Sequence, residues 1–252
     1  MDQSIPGAIL PTDGSDSGCS HRTSRTAHTD VPKSTVGIGT HATGLSGRIM
    51  AVPGTTDLEE LLRAIANHDH NAASVLLAEA PSLATTGLAR RDEFFLAERF
   101  AQVYEGDTAL HAAAFSYDSD MIRALIARGA DIRARNRRGA EPLHAATIGN
   151  PVSPTWNPAD QRRVILLLVE SGADPNAAAT GGVTPLHRAV RNRCSAAVEA
   201  LLRAGADPCL PNESGSTAHD LAMLTTGRGG TGSAEAKAEQ RIILDLLEKS
   251  AP

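Results

Sequence analysis

A glycine-rich stretch, "GRGGTGS" at residues 227–233, has residue types that could bind phosphate. In P-loop proteins, the backbone N–H groups of such a loop cradle the phosphates of a nucleotide. A P-loop, however, follows a strand and carries a lysine after its last glycine. Here Ser233 follows Gly232, and the preceding "AHDLAML" is typical of a helix. The sequence therefore favours a flexible loop with Ser233 as a helix cap, and nucleotide or small-anion sensing is the alternative.

A second candidate is "NHDHN", in which His68, Asp69 and His70 are all metal-ligand types. It lies where a turn between the first two helices is expected, and a hydrated polar turn is the favoured interpretation. The chain has no C-x-x-C pair, and no cysteine has a base at the spacing that a nucleophile needs. The sequence therefore predicts no catalytic residue, no metal site and no cofactor.

Composition limits the classes of protein that this chain of 252 residues could belong to. Hydrophobic residues make up 41% and aromatic residues only 3%, so small aliphatic side chains must fill the core, which favours packed helices. The net charge of −5 is not that of a general nucleic-acid or acidic-membrane binder. No membrane-length apolar run or secretory signal is visible, so a cytoplasmic protein is expected. A monomer is expected as well.

Residues 1–56 mix Ser, Thr, Gly, His, Asp and Pro without a periodic apolar pattern. Such a segment cannot bury enough apolar surface to offset the entropy of ordering, so it is predicted to be disordered. Thr55, Thr56 or Asp57 then caps a first helix that has acidic residues in its first turn. Met50 stands just before that helix and is an alternative translation start.

The remainder of the chain repeats itself. Four segments align at Gly106, Gly139, Gly182 and Gly215, which are 33, 43 and 33 residues apart. Each is followed by apolar residues in an i, i+1, i+4, i+5 frame, which is typical of one buried helix face. These residues are Met121, Ile122, Leu125 and Ile126; Val164, Ile165, Leu168 and Val169; Ala197, Val198, Leu201 and Leu202; and Ile242, Ile243, Leu246 and Leu247.

The segments "TALH" at 108–111, "EPLH" at 141–144 and "TPLH" at 184–187 resemble the signature of the ankyrin repeat, and "TAHD" at 217–220 resembles a terminal copy. The resemblance implies an all-α solenoid of about five helix-turn-helix repeats within residues 57–252. These repeats are expected near 57–87, 106–138, 139–181, 182–214 and 215–250. The wider pattern is similar to a group of bacterial ankyrin-repeat proteins, which implies an architecture and no activity.

In this family the signature residues hold the fold together. The threonine caps the first helix, and the proline stands where no backbone N–H is needed. The histidine bridges backbone groups of neighbouring repeats. His111, His144 and His187 are therefore predicted to be structural.

Three segments depart from the 33-residue frame. An extra helix is predicted near residues 90–105, which hold three of the four phenylalanines, and inserted loops are predicted near 149–160 and 225–236. The first loop carries Trp156, the only tryptophan of the chain, between two prolines. Such an aromatic either anchors a partner or folds back as a lid on apolar surface.

The ankyrin resemblance also implies that turn tips and first helices line a concave face that binds proteins. Arginines and a few aromatic residues at these positions and in the first loop are the candidate partner-binding residues: Phe115, Tyr117, Arg133, Arg135, Arg137, Arg138, Trp156, Arg188, Arg191 and Arg193. Guanidinium groups suit acidic side chains or phosphate. Since 21 of the 24 basic residues are arginine, ordinary solvated surface is the alternative.

The predicted function is a non-catalytic adaptor that binds another protein, one with an acidic surface, through the concave face and the turn tips. Neither nucleic acid nor a membrane is expected as a partner. Some exported effector proteins carry ankyrin repeats, so an exported effector-type protein is a further alternative beside anion sensing.

Overall fold

A computed structural model describes residues 55–96, 101–224 and 232–250. The segment predicted to be disordered lies outside the described residues, except that Thr55 and Thr56 begin the first helix. The described residues form ten helices, none of them long and apolar enough to cross a lipid bilayer. The helices are α1 (Thr55–Ala66), α2 (His70–Glu79), α3 (Ala109–Phe115), α4 (Ser119–Ala127), α5 (Pro142–Ala146), α6 (Pro158–Glu170), α7 (Pro185–Arg191), α8 (Ser195–Arg203), α9 (Ala218–Met223) and α10 (Ala234–Lys249).

Successive helices pair, and the pairs stack side by side. One row contains α1, α3, α5, α7 and α9, and a second row contains α4, α6, α8 and α10, while α2 packs on α1. From α3 onward, each helix of the first row has an alanine with no exposed surface two residues after the junction position: Ala113, Ala146, Ala189 and Ala222. Because these side chains are small, neighbouring helices approach closely. The predicted all-α solenoid is confirmed.

The prediction of an extra helix near residues 90–105 is wrong. A short 3-10 turn leads into an antiparallel pair of strands, β1 (Phe94–Leu96) and β2 (Ala101–Val103). In both strands the middle residue is exposed and the last is buried, which is the two-residue period of a strand. Aromatic and β-branched residues fit a pleated surface better than a helix, so this segment forms a hairpin.

Three buried histidines join successive repeats. Each Nδ1 accepts a hydrogen bond of 3.2 Å from the backbone N–H of the residue that caps its own helix. Since Nδ1 accepts, the neutral ring carries its proton on Nε2 and donates it to a carbonyl of the next repeat. These junction bonds are 3.0 to 3.1 Å long and join His111 to Ala140, His144 to Val183 and His187 to Ser216.

The last repeat has Asp220 in place of the histidine. Its Oδ2 accepts from the backbone N–H of Thr217 at 2.9 Å and from the Thr217 hydroxyl at 2.8 Å. The carboxylate therefore keeps the capping half of the arrangement, which closes the first turn of α9.

The turns that precede the first-row helices are joined as well, by one backbone hydrogen bond at each junction. The N–H groups of Arg137, Thr180 and Glu213 donate to the carbonyls of Glu105, Arg138 and Gly181, at 2.7, 2.9 and 3.0 Å. This contact brings the backbones of neighbouring turns so close that some of their glycines have no space for a side chain. A Cβ on Gly182, where φ is +67°, would lie 2.8 Å from the nitrogen of Glu213.

We expect Gly182→Ala to destabilise the protein more than Gly215→Ala. Both glycines have positive φ, so either alanine bears a conformational cost of about 1 kcal/mol. Only the alanine at 182 also collides with the next turn, since nothing lies within 4 Å of a Cβ at Gly215. The free energy of unfolding should differ between the variants by at least about 1 kcal/mol in urea denaturation. Equal losses would contradict the close contact.

The junction histidines also predict how stability depends on pH. Burial lowers the pKa of His111 and His187, and lowers that of His144 to about 3. In the unfolded chain a histidine pKa is about 6.5, so the unfolded state binds more protons below that pH. Stability is therefore present above about pH 6.5 and falls as the pH drops toward the folded-state pKa values, with a limiting slope of about 1.4 kcal/mol per pH unit for His144.

His144→Gln tests this dependence, because the amide keeps a donor and an acceptor but does not titrate. Its free energy of unfolding should decline less steeply than that of the wild type between about pH 6.5 and about pH 5, by about 1 kcal/mol per pH unit. Denaturant titrations at several pH values measure both slopes. Identical slopes would show that His144 takes up its proton as readily in the folded as in the unfolded chain.

Candidate functional site

A groove of about 610 Å³ lies between the turns and the first-row helices, and we call it the concave groove. The turns contribute Tyr104, Arg137 and Arg138, and the helices contribute Phe115 and Arg188. Its full lining is Ala101, Gln102, Tyr104, Asp107, His111, Phe115, Asn136, Arg137, Arg138, Ala140, Ala145, Ile148, Ala179, Thr180, Val183, Arg188, Arg191 and Asn192. The groove thus extends over three consecutive repeats and combines aromatic, aliphatic and cationic side chains.

Positive charge is crowded within the concave groove. Arg188 is partly buried, and this burial, together with the charges of Arg138 and Arg191, lowers the pKa of its guanidinium to about 10. Within the described part of the chain, no carboxylate forms an ion pair with any of these three arginines. Their mutual repulsion is therefore not relieved by a partner of their own, and an anionic ligand would relieve it.

The carboxylate of Asp107 offsets this charge only in part. It opposes the lowering of the Arg188 pKa. One of its oxygens accepts from the side-chain amide of Asn136 at 2.8 Å, and the other accepts from the backbone N–H of Tyr104 at 2.7 Å. Its hydrogen bonds therefore hold two neighbouring turns in place.

The Tyr104 ring supports two of the arginines. The guanidinium carbons of Arg137 and Arg138 lie 4.9 and 5.3 Å from its centroid, within cation–π range. Arg137 also forms an ion pair with Glu93 and lowers the pKa of that carboxyl. The charge of Arg137 is therefore largely balanced, whereas Arg138 presents its charge to the groove.

Five of the residues predicted to bind a partner line the concave groove: Phe115, Arg137, Arg138, Arg188 and Arg191. Three others lie outside its lining and contact other parts of the fold. Arg133 donates to the carbonyl of Gly172 at 3.0 and 3.1 Å, next to the turn of the following repeat. Arg135 pairs with the buried carboxylate of Glu141 at 2.9 Å.

Arg193 is the third residue placed outside the groove. It is only 2% exposed, has a φ of +58°, and occupies the turn between α7 and α8. Its guanidinium donates to the carbonyl of Ala222 at 3.2 Å and to that of Leu224, so it satisfies carbonyls at the end of α9. The structure thus gives Arg193 a role in holding the last two repeats together.

Tyr117 and Trp156 line a second pocket of about 430 Å³, which shares Phe115 with the concave groove. The Trp156 indole N–H donates to Gln161 at 2.9 Å, and the same buried glutamine donates to the carbonyl of Ala146 at 3.0 Å. The Tyr117 hydroxyl donates to a carbonyl on the same side. The tryptophan loop is therefore folded back on the repeats, with part of the indole exposed.

Tyr104 is a groove residue that the sequence analysis missed, because it fell within the predicted extra helix. A signal for it was present in the repeat frame. Tyr104, Arg137 and Thr180 each stand two residues before an aligned glycine, and all three line the groove. Counting back from the glycines would have placed Tyr104 at a turn tip.

The structure describes only the edges of the glycine-rich loop. Gly227 and the residues up to 231 lie outside the described residues. The segment before the loop is the helix α9, and the Ser233 hydroxyl accepts from the backbone N–H of Ala236 at 3.1 Å, which caps α10. The strand that a P-loop needs is therefore not found in the described residues before the loop.

One group of metal-ligand types comes together among the described residues. It consists of His68, His70 and Asp118, whose ligand atoms all lie within 4.8 Å of one another. The sequence analysis named both histidines but not Asp118, which is 48 residues further along the chain than His70.

The helix pairs stack side by side, and their turns and first helices form a groove. This architecture defines a solenoid repeat protein. The family is that of the ankyrin repeats. A family model described as "Ankyrin repeats (3 copies)" matches residues 61–179, and one described as "Ankyrin repeats (many copies)" matches residues 168–222. Together the matches extend over more than half of the chain, and the chain is an ankyrin-repeat protein.

Curated relatives agree with this family. "Ankyrin repeat and SOCS box protein 16" of Mus musculus is 38% identical over 118 residues, which are 46% of this chain and 25% of the relative. "Neurogenic locus notch homolog protein 1" of Danio rerio is 35% identical over 114 residues, 45% of this chain and 4% of the relative. "Tyrosine-protein kinase Shark" of Drosophila melanogaster is 31% identical over 123 residues, which are 48% of this chain and 12% of the relative. The chain thus spans a quarter or less of each relative.

We expect Arg188→Met to stabilise the free protein, because methionine fills similar space without adding to the crowded positive charge. The gain in the free energy of unfolding should be about 1 kcal/mol at low salt. Arg191→Met is the matched control, and because Arg191 is exposed its effect should stay within about 0.5 kcal/mol. Urea denaturation measures both, and a loss of stability in Arg188→Met would contradict the repulsion.

Proposed function

We propose that this chain is a non-catalytic interaction module that binds an acidic segment of another protein in the concave groove. The family supports the general part of this proposal, since repeat solenoids use their extended concave surfaces for binding. The finer part, the acidic character of the partner, rests on the charge of the groove. A monomeric state and a cytoplasmic location belong to the same proposal.

The observation that carries the proposal is the environment of Arg188. Its guanidinium lies partly buried beside two other arginines, without a carboxylate ion pair among the described residues. A fold gains nothing from such crowding, because charges that repel each other lower its stability. Carboxylates of a bound protein would pair with Arg138, Arg188 and Arg191 and receive charge-assisted hydrogen bonds.

The groove also offers apolar surface next to this charge. Tyr104 and Phe115 are partly exposed, and both line the groove with Ile148. Aromatic side chains flanked by arginines are the residue types that dominate binding energy in protein interfaces. We therefore propose that the bound segment carries acidic residues interspersed with apolar ones. The adjoining Trp156 pocket would take a side chain at one end of that segment.

Selection from a peptide library displayed on phage tests the proposal and does not require the partner to be identified first. The full chain should enrich sequences that contain several Asp or Glu residues beside apolar ones. For the selected peptides, the double variant Arg138→Glu, Arg191→Glu should weaken binding at least about tenfold, as measured by fluorescence anisotropy. Binding to the wild type should also weaken as salt is added.

The matched control is Arg123→Glu, Arg203→Glu. These arginines are exposed on α4 and α8, in the second row of helices, so the net charge changes by the same amount away from the groove. We expect this control to change the affinity by less than about threefold. Equal losses in both double variants, or selected peptides without acidic residues, would contradict the proposal.

A further inference from the structure

The turns that join the two helices of a repeat also lie next to each other along the stack. The first of these turns carries His68 and leads into α2 at His70. The second carries Asp118, directly before α4. The Nε2 of His70 lies 2.6 Å from Oδ2 of Asp118, and the Nδ1 of His68 lies 3.4 Å from the same oxygen. One carboxylate oxygen of the second repeat thus faces two imidazoles of the first.

Asp118 is held in this orientation by its other oxygen. Its side chain is only 3% exposed, and Oδ1 accepts from the backbone N–H of Met121 at 3.0 Å, which caps α4. The capping bond fixes the carboxylate and leaves Oδ2 directed at the histidines. The two imidazoles, by contrast, are 45% and 49% exposed, so a solute reaches this cluster from the solvent.

The turn that carries the histidines is also fixed. His68 has a φ of +57°, and its N–H donates to the carbonyl of Ile65 at 3.0 Å. The Asp69 side chain accepts from the backbone N–H of Ala72 at 2.9 Å and so caps α2. With Asp69 used as a cap, His68 and His70 flank it and project toward the neighbouring turn. Backbone hydrogen bonds and caps therefore orient all three side chains.

We propose that His68, His70 and Asp118 bind a divalent transition-metal ion of the Zn²⁺ type. Two imidazole nitrogens and one carboxylate oxygen are the ligand set of many zinc sites with an open coordination position. Imidazole favours zinc, copper or nickel over magnesium and calcium, which prefer oxygen ligands. The ion uses Nδ1 of His68, Nε2 of His70 and Oδ2 of Asp118, and solvent completes its coordination.

The three ligand atoms lie within 4.8 Å of one another, so small side-chain movements would bring them to the distances that such an ion needs. Zinc bonds to nitrogen and oxygen of about 2.0 to 2.2 Å in a tetrahedron place the ligand atoms about 3.4 Å apart. The distance from His68 to Asp118 already has this value, at 3.4 Å. The His70 imidazole needs to move away from Asp118 by less than about 1 Å, and its exposed position allows that movement.

This site is separate from the concave groove, so the proposal does not depend on the proposed function. Its ligands come from two repeats, and a bound ion would cross-link the first repeat to the second. Metal binding to the folded state alone raises the free energy of unfolding. Its open position would admit a solvent molecule or a side chain of a bound protein.

Titration of the full chain with ZnCl₂ after treatment with a chelator tests the proposal. Isothermal titration calorimetry should show one site with a Kd below about 10 μM. The unfolding temperature should rise with zinc, and Co²⁺ should give the visible absorption of a four-coordinate ion. His70→Gln and Asp118→Asn should each weaken this binding at least about tenfold, since even the loss of an outer-sphere partner costs 10- to 100-fold.

Asp118→Asn keeps an oxygen to cap α4, and His70→Gln changes an exposed position, so both variants should fold with wild-type circular dichroism. His219→Gln, which removes a histidine from α9, is the matched control and should bind zinc like the wild type. The proposal fails if the wild type shows no binding below about 100 μM. It also fails if all three variants bind as the wild type does, which would leave only a hydrogen bond between repeats.

Discussion

The fold of this protein depends on a neutral imidazole at three of the junctions between repeats. In three junctions the same ring accepts a hydrogen bond from the cap of its own helix and donates one across the interface. A charged ring could not accept, so the arrangement requires the uncharged form, and burial maintains it. One imidazole thus stabilises both the start of its own helix and the contact with the next repeat.

This junction has consequences for the surface that faces a partner. The junction keeps successive turns side by side, at a spacing set by one backbone hydrogen bond between neighbouring turns. Side chains at equivalent turn positions are then neighbours, whatever their charge. Arg138 and Arg188 come close together for this reason, although they are far apart in sequence. The stack therefore assembles a binding surface from single residues of different repeats. Electrostatic repulsion among these residues lowers the stability of the free protein.

The repeat frame made most of the architecture predictable. Aligned glycines, the capping signature and the apolar helix stripes each indicate the same helix pairs, so local and global signals agree. The hairpin at β1 and β2 was missed because a short apolar, aromatic segment has no period that distinguishes a strand from a helix. Five of the ten candidate binding residues line the concave groove. Arg193 does not, because its left-handed backbone turns the side chain into the interior.

What sequence reasoning could not supply were contacts between different repeats at positions without a signature. Nothing around Asp118 indicates that its carboxylate faces His68 and His70. The hydrogen bond from the Trp156 indole to Gln161 could not be predicted for the same reason, since an inserted loop has no repeat frame from which to count. Such contacts depend on how the repeats stack, and the repeat pattern alone does not define the side-chain geometry.

The aspartate that replaces the junction histidine gives the last described repeat a different bonding pattern from the earlier ones. Unlike an imidazole, a carboxylate has no ring N–H to donate to a following backbone carbonyl. A second molecule that approached this end with its own first helix would not meet an imidazole like those that form the three earlier junction bonds. The carboxylate therefore does not offer a head-to-tail neighbour the junction bond that the histidines form, and such contacts are a hazard for any chain built from interchangeable modules.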